Sequence, residues 1–305
     1  MSKFAPMLAE RESAHNFANE LVFPLFASPK LDGIRVVIRD GTAMTRSLTP
    51  VANRHIRETL SRTDLNGLDG ELICGDATAE DCYNTTQRGV LGNKIERPVF
   101  GFFIFDDFSF PSLPYIERME MLENRMRALR PTIPFPFAVW GGGEFQSWVG
   151  VEEFERLSLI EGYEGLILRS ALGQYKYGRS TRKQQDMLKL KRFVDDEAQI
   201  IGFEELMRNE NENIGDNFGH AKRSSMQAGL VPGGTLGAFI VRDKEGREFN
   251  IGMFKGLTSK DKQDIWNSRG LYENRWIKYS HFPVGAIDLP RHAKFIGFRD
   301  TADMS

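Results

Sequence analysis

A chain of 305 residues, 41% hydrophobic and 27% charged, can bury a sizeable core and reads as two globular domains. Its formal net charge is −2, no apolar run is long enough to span a bilayer, and no apolar leader follows a basic start, so neither a membrane-spanning nor a secreted protein is expected. Cys74 and Cys82, without a Cys-x-x-Cys pair or a histidine cluster, exclude a disulfide framework and a structural zinc site.

The apolar run Leu21 to Phe26 leads into Ser28-Pro29-Lys30-Leu31-Asp32-Gly33-Ile34-Arg35. Beyond it Ile34, Val36 and Ile38 alternate with Arg35, Val37 and Arg39 at strand period, and Asp40-Gly41 is a two-residue hairpin turn, with Arg46 closing the returning strand. Lys30 therefore sits at the mouth of a sheet. By itself such a lysine is a loop residue; with a carboxylate two residues on and a glycine after it, it is also a candidate nucleophile.

Asn53 opens a short helix through Leu60, and Leu68 to Ile73 reads as a strand that can aim Glu71 into the same cleft as Lys30. A helix over Ala79 to Val90 and a strand over Val99 to Asp106 follow. Pro114 suits the first turn of a helix whose Ile116, Met119, Leu122, Met126 and Leu129 keep core spacing. A short strand over Phe137 to Trp140 precedes a helix over Gly150 to Glu161 with Val151, Phe154 and Leu157 on one side. Gly162 to Leu168 then returns the chain to the sheet, and Leu188-Lys189-Leu190-Lys191 alternates so that both lysines face one way. Between Arg169 and Arg192 eight basic residues are opposed only by Asp186, a strip that is either a solvated face or a grip for a polyanion.

A domain boundary near Phe193 gives domains 1–193 and 194–305. The second carries short strands at Ala198 to Phe203, Leu236 to Arg242, Phe249 to Met253, Trp276 to Tyr279 and Lys294 to Arg299, with one helix, Ser259 to Ser268. That pattern reads as a small β-barrel, an OB-fold. The polar stretch Glu204 to Thr235 is too long for a compact connection and is expected to be a mobile loop in the free protein.

A lysine amine attacks phosphorus only when neutral, which its reference pKa of about 10.4 makes rare at pH 7. Arg35, Lys189, Lys191 and a bound Mg²⁺ are the cations expected to depress it. The same charges would neutralise a nucleotide polyphosphate, while Asp32, Glu71 and Glu164 can hold Mg²⁺ or a ribose hydroxyl.

Lys30-Leu31-Asp32-Gly33-Ile34-Arg35, Arg46, Leu68-Asp69-Gly70-Glu71, Phe105-Asp106, Glu164-Gly165 and Leu188-Lys189-Leu190-Lys191 stand in the order of the motifs of ATP-dependent DNA ligases, which the chain resembles along nearly its whole length. Tyr177 to Thr181, Asp216 to Gly219, Lys222-Arg223-Ser224 and the ending Pro290 to Arg299 resemble segments of the minimal viral members. The resemblance implies an α+β fold: a nucleotidyltransferase domain of antiparallel sheets flanked by helices, then an OB-fold barrel with a DNA-clamping latch at about 204–235. It implies that Lys30 is adenylated by ATP, that AMP passes to the 5′-phosphate at a nick, and that the 3′-hydroxyl displaces it.

Position by position, Lys30, Asp32, Lys189 and Lys191 would be catalytic. Ser28, Lys30, Arg35, Glu71, Phe105, Lys189 and Lys191 would hold ATP, with Glu71 on the ribose and Phe105 stacked on adenine. Asp32 and Glu164 would carry Mg²⁺, with Mn²⁺ as a substitute, and Arg35, Arg46, Arg179, Lys222 and Arg223 would touch DNA. Many such ligases end in Arg-x-Asp-Lys, whereas here Arg299-Asp300-Thr301-Ala302 lacks the lysine, which puts the contribution of Arg291, Lys294 and Arg299 in doubt.

The expected partner is nicked duplex DNA, with no membrane and no obligatory protein partner. A monomer in the cytoplasm, virus- or phage-encoded and serving replication, repair or recombination, completes the expectation. Rival readings are an RNA ligase, a capping guanylyltransferase, and a non-catalytic nucleic-acid binder, which would need none of the intact carboxylates.

Overall fold

The computed structural model describes residues 4–212, 223–224, 226–282 and 289–299, in two compact units, 1–191 and 192–305. Among them no helix is long and apolar enough to cross a membrane.

The first unit holds β1 (Leu25–Pro29), the hairpin β2 (Ile34–Arg39) and β3 (Thr42–Thr45), α1 (Arg54–Leu60), β4 (Leu68–Ile73), α2 (Cys82–Val90), β5 (Gly101–Asp107), α3 (Tyr115–Leu129), β6 (Phe137–Val139), β7 (Gly143–Phe145), α4 (Trp148–Ile160), β8 (Leu166–Ser170) and β9 (Met187–Leu190). They form a five-stranded sheet, β3-β2-β4-β5-β6, and a four-stranded sheet, β7-β1-β8-β9.

Local chemistry sets several boundaries. Asp40 and Gly41 both take positive φ, as the tight turn of the hairpin demands. The Asn53 side chain accepts from the Ile56 amide and caps α1. Strand alternation then sorts the faces. Val36, Ile38, Leu68, Leu72, Phe102 and Ile104 pack with α1, α2 and α3 in one core, while Val37 points the other way, into a second cluster with Met7, Tyr175 and Met187. In the other sheet Leu25, Ala27, Leu166, Leu168, Leu188 and Leu190 pack with Ala14, Phe17 and α4. One face of each sheet is thus covered by helices, which leaves the opposite faces to build a cavity.

In the second unit β10 (Val194–Asn209) pairs with β14 (Trp276–Phe282) through its first half and with β11 (Leu230–Asp243) along the rest. The six-stranded order is β12-β11-β10-β14-β15-β13, with β12 (Glu248–Ile251), β13 (Met253–Phe254) and β15 (Arg291–Phe298). The two edge strands, β12 and β13, are separated in the chain only by Gly252, so the sheet curls back toward itself. Helix α5 (Ser259–Asn267) starts at a capping box between Thr258 and Asp261.

Four expectations change. Helix α2 begins at Cys82, because residues 79–81 form a turn ahead of it. Ile116, expected in the core, is 43% exposed, since none of the described elements covers that flank of α3. The Phe249 to Met253 strand is split in two at Gly252. The flanks of the supposed loop are strands: Met207, Arg208 and Asn209 pair with Pro232, Val231 and Leu230. Leu206 and Met207 stand exposed on that ribbon, so backbone pairing rather than a core holds it. Residues 213–222, with Ile214, Phe218 and Lys222, lie outside the described residues.

Candidate active site

A cavity of about 210 Å³ opens in the first unit, lined from both sheets: Ser28, Pro29 and Ile167 come from β1 and β8, and Arg35, Glu71 and Phe105 from β2, β4 and β5. Lys30 lines it from the end of β1, and Arg46 from the end of the hairpin. Antiparallel register sets Arg35 beside Glu71. The Lys30 amide donates to the Gly165 carbonyl (2.8 Å), which ties the two loops together.

Two glycines allow these loops to approach. A side chain on Gly33 would run into the Leu72 carbonyl, and one on Gly165, at φ +140°, into the Leu190 carbonyl. Their neighbours Asp32 and Glu164 owe their positions to that closeness.

Glu164 is the hub: its two carboxylate oxygens accept separately from the Lys30 and Lys191 ammonium groups. Burial pushes the Glu164 carboxyl up, but Lys30 and Lys191 outweigh it and hold it at about 2. For Lys30 burial acts downward, yet Glu164 first, then Glu71 and Asp32, raise it above the ordinary lysine value. Among the protein's own groups, the carboxylates thus outweigh burial at Lys30. Lys189 is depressed, by burial and then by Arg179, Lys191 and Lys30.

Glu71 is pushed up to about 7 by burial, which Lys30 and Arg35 only partly offset. Arg35 donates Nε to Asp69 Oδ1 (2.8 Å), Nη2 to Asp69 Oδ2 (2.5 Å) and Nη1 to the Met7 carbonyl, and lies 5.2 Å from the centre of the Phe105 ring. Tyr175 joins the same network, donating to Asp69 Oδ2 (2.6 Å) and accepting from the Met7 amide (3.2 Å). Arg179 donates to the carbonyl of Ala9, itself a wall of the cavity.

Ser28, Lys30, Arg35, Arg46, Glu71 and Phe105 are thus brought to one cavity. Glu164 and Lys191 are joined to it through Lys30, and Asp32 and Lys189 act on Lys30 or are acted on by it electrostatically. Arg223 belongs to the second unit, where Nη1 donates to the Asn211 carbonyl (2.8 Å); Lys222 lies outside the described residues. Arg299 pairs with Glu197 (3.0 Å), which also holds Lys244.

Sequence reasoning missed the N-terminal stretch Leu8 and Ala9 as cavity wall, together with Tyr115, Trp140 and Arg169. It also missed the fully buried floor beneath Phe105, where Asp106 accepts from Arg118 Nε (2.8 Å) and Nη2 (3.0 Å) and from Arg169 Nη1 (2.8 Å). The available signal was a charged pattern inside apolar elements, Arg118 among helix core positions and Arg169 in the strand Leu166–Ser170.

Residues 6–191 match the family model for the ATP-dependent DNA ligase domain, and residues 231–299 match that for the DNA ligase OB-like domain. No match was found among curated proteins. Two solved structures of Chlorella virus DNA ligase-adenylate are 26% and 29% identical to this chain, with TM-scores of 0.54 and 0.53. Each comparison covers 98% of this chain, and 100% and 99% of the viral chains. A Lig E DNA ligase, 22% identical over 97% of this chain and 99% of its own, shares the fold with a TM-score of 0.67. With the ligase domain spanning more than half of it and the OB-like domain following, the chain belongs to the family of ATP-dependent DNA ligases.

Proposed function

We propose that the cavity around Lys30 is where this ATP-dependent DNA ligase carries out nick sealing, with Lys30 as its nucleophile. The observation that carries this is Glu164 bridging Lys30 and Lys191 at a cavity walled by Arg35, Glu71 and Phe105. Neutral Lys30 Nζ attacks the α-phosphorus of ATP; the N–P bond forms, the bond to the bridging oxygen breaks, and pyrophosphate leaves. The 5′-phosphate at the nick then takes the AMP from Lys30, and the 3′-hydroxyl attacks that 5′-phosphorus and expels AMP.

Glu164, held near 2, is too weak a base to keep the lysine proton, so adenylation requires Lys30 to leave this ion pair. Once Lys30 is parted from Glu164, Lys191 and Lys189 favour its neutral form and face the phosphates. Phe105 gives adenine a flat wall, Ser28 offers backbone contacts, and Glu71, when ionised, accepts from the ribose.

Among the described residues no cluster of three His, Cys, Asp or Glu could hold a metal. The site fits an ion that arrives on triphosphate oxygens and takes one or two carboxylates, here Asp32 and Glu164. Bound Mg²⁺, or Mn²⁺, would supply neutralisation of the phosphate charge.

For DNA, Arg35 is a fixed charge, with Nε and one N–H of each Nη taken by Asp69 and Met7, so it offers the nick 5′-phosphate a preset partner. Arg46 and Arg179 serve beside it, and Lys222 and Arg223 serve on the latch. The protein acts as a monomer on nicked DNA in the cytoplasm, without an obligatory protein partner.

Incubation with ATP labelled at the α-phosphate and Mg²⁺ is expected to label wild-type protein and leave Lys30→Ala unlabelled; label retained in the variant would move the nucleophile elsewhere. Sealing of nicked DNA but not of nicked RNA duplexes separates this reading from an RNA ligase.

A further inference from the structure

Arg169 is 3% exposed, yet it lines the cavity and takes no part in the steps above. Alternation along β8 sends Leu166 and Leu168 into the core and Ile167 and Arg169 to the cavity. Its guanidinium carbon lies 5.1 Å from the centre of the Tyr115 ring and 5.7 Å from that of Phe105, both cavity walls. Nη1 is engaged by Asp106 (2.8 Å) and the Met7 sulfur (3.6 Å). Nη2 is buried and has no hydrogen-bond partner among the described residues.

Arg118, equally buried on the same carboxylate, shows what completion looks like. Its Nη1 donates to the carbonyls of Leu113 (2.5 Å) and Gly173 (3.0 Å), and its Nη2 to Asp106. A buried charged donor left unpaired is costly, and a guanidinium can only donate, so what is missing is an acceptor. The walls beside Arg169 are two aromatic rings and Ile167, which suit a flat heterocycle carrying acceptors in its plane.

We propose that Arg169 Nη2 donates to a ring nitrogen of the adenine of ATP, N1, N3 or N7, and so is a specificity-determining contact of the adenylation step. This rests on the reading that the cavity holds the adenine. The exocyclic amino group cannot serve, being a donor against a donor.

The test measures self-adenylation kinetics with ATP and with its 1-deaza, 3-deaza and 7-deaza analogues, for wild type and Arg169→Met. The methionine keeps an unbranched stem, and Asp106 retains Arg118. In the wild type one analogue is expected to raise KM roughly 10- to 100-fold, the worth of a hydrogen bond from a charged donor, with kcat little changed. Arg169→Met is expected to raise KM for ATP by a similar factor and to treat that analogue like ATP.

The proposal is overturned if the wild type handles all three analogues like ATP. It is also overturned if the variant still penalises the same analogue in full, since the acceptor would then be met elsewhere. The wild-type series decides the first point even if the variant does not fold. Wild-type protein that forms no adenylate on Lys30 would instead overturn the reading of the cavity itself.

Discussion

Asp106, beneath Phe105, and Glu164, beside Lys30, each bridge two cations, but with different partners. Asp106 holds Arg118 and Arg169, whose side chains are 2% and 3% exposed; Glu164 holds Lys30 and Lys191, at 26% and 10%. Guanidinium forks give Asp106 a planar, many-bonded cradle, and Arg118 extends it to two carbonyls. Ammonium groups on flexible stems give Glu164 partners that can be exchanged for phosphate or metal. On the proposed function, the same charge arrangement is scaffold in one place and machinery in the other.

The largest expected effect falls on the machinery. Lys30→Ala should abolish adenylation and sealing while moving Tm by only a few degrees, measured by gel labelling and thermal unfolding. A collapse of Tm would mean that this pair is scaffold too.

Asp106→Ala, by contrast, strands two buried guanidinium groups, and breaking a buried pair in this way costs roughly 3–5 kcal/mol. At about 2–4 °C per kcal/mol for a domain of this size, unfolding should move down by about 10 °C, with adenylation failing because Phe105 loses its support. An unfolding midpoint unchanged from wild type would erase the distinction between the two carboxylates.

Replacing 214–229 by a short Gly-Ser turn leaves both carboxylates untouched. It should weaken binding of nicked DNA about 10- to 100-fold, with adenylation by ATP nearly intact, the loss of phosphate contacts showing as a shallower salt dependence. Equal loss of both activities would tie that segment to the cavity.

Glu71 sharpens the comparison, being a carboxylate that bridges no pair of cations among the described residues. Its pKa is raised to about 7 in the folded protein. The folded state therefore binds the Glu71 proton more tightly than the unfolded one. That stabilisation is fully present below about 4.5 and is lost as pH rises through about 7. Glu71→Gln should gain stability relative to wild type across this window, by about 1–3 kcal/mol at its top, measured by urea unfolding at several pH values. A constant difference across pH would show that Glu71 titrates normally.

What the sequence determined by itself was whatever short-range chemistry encodes. Asp40-Gly41 can only turn, Asn53 caps, and the alternation of Leu188 and Leu190 with Lys189 and Lys191 assigns faces. These rest on neighbours a few residues away, so they are legible in the order of residues, as were the motif spacings that marked Lys30, Glu71 and Glu164. Periodicity names a face but not what covers it, which is why Ile116 read as core and is exposed. The ribbon of 204–209 with 230–235 read as loop because strand pairing there joins residues distant in sequence without an apolar signal. Only the tertiary structure could set Met7 against Arg35 and Tyr175, gather Arg118 and Arg169 on Asp106, and hold Lys30 charged against Glu164. A side chain's protonation and pairing depend on which groups converge in space at low dielectric, and here those groups lie from 12 to 168 residues apart in the chain.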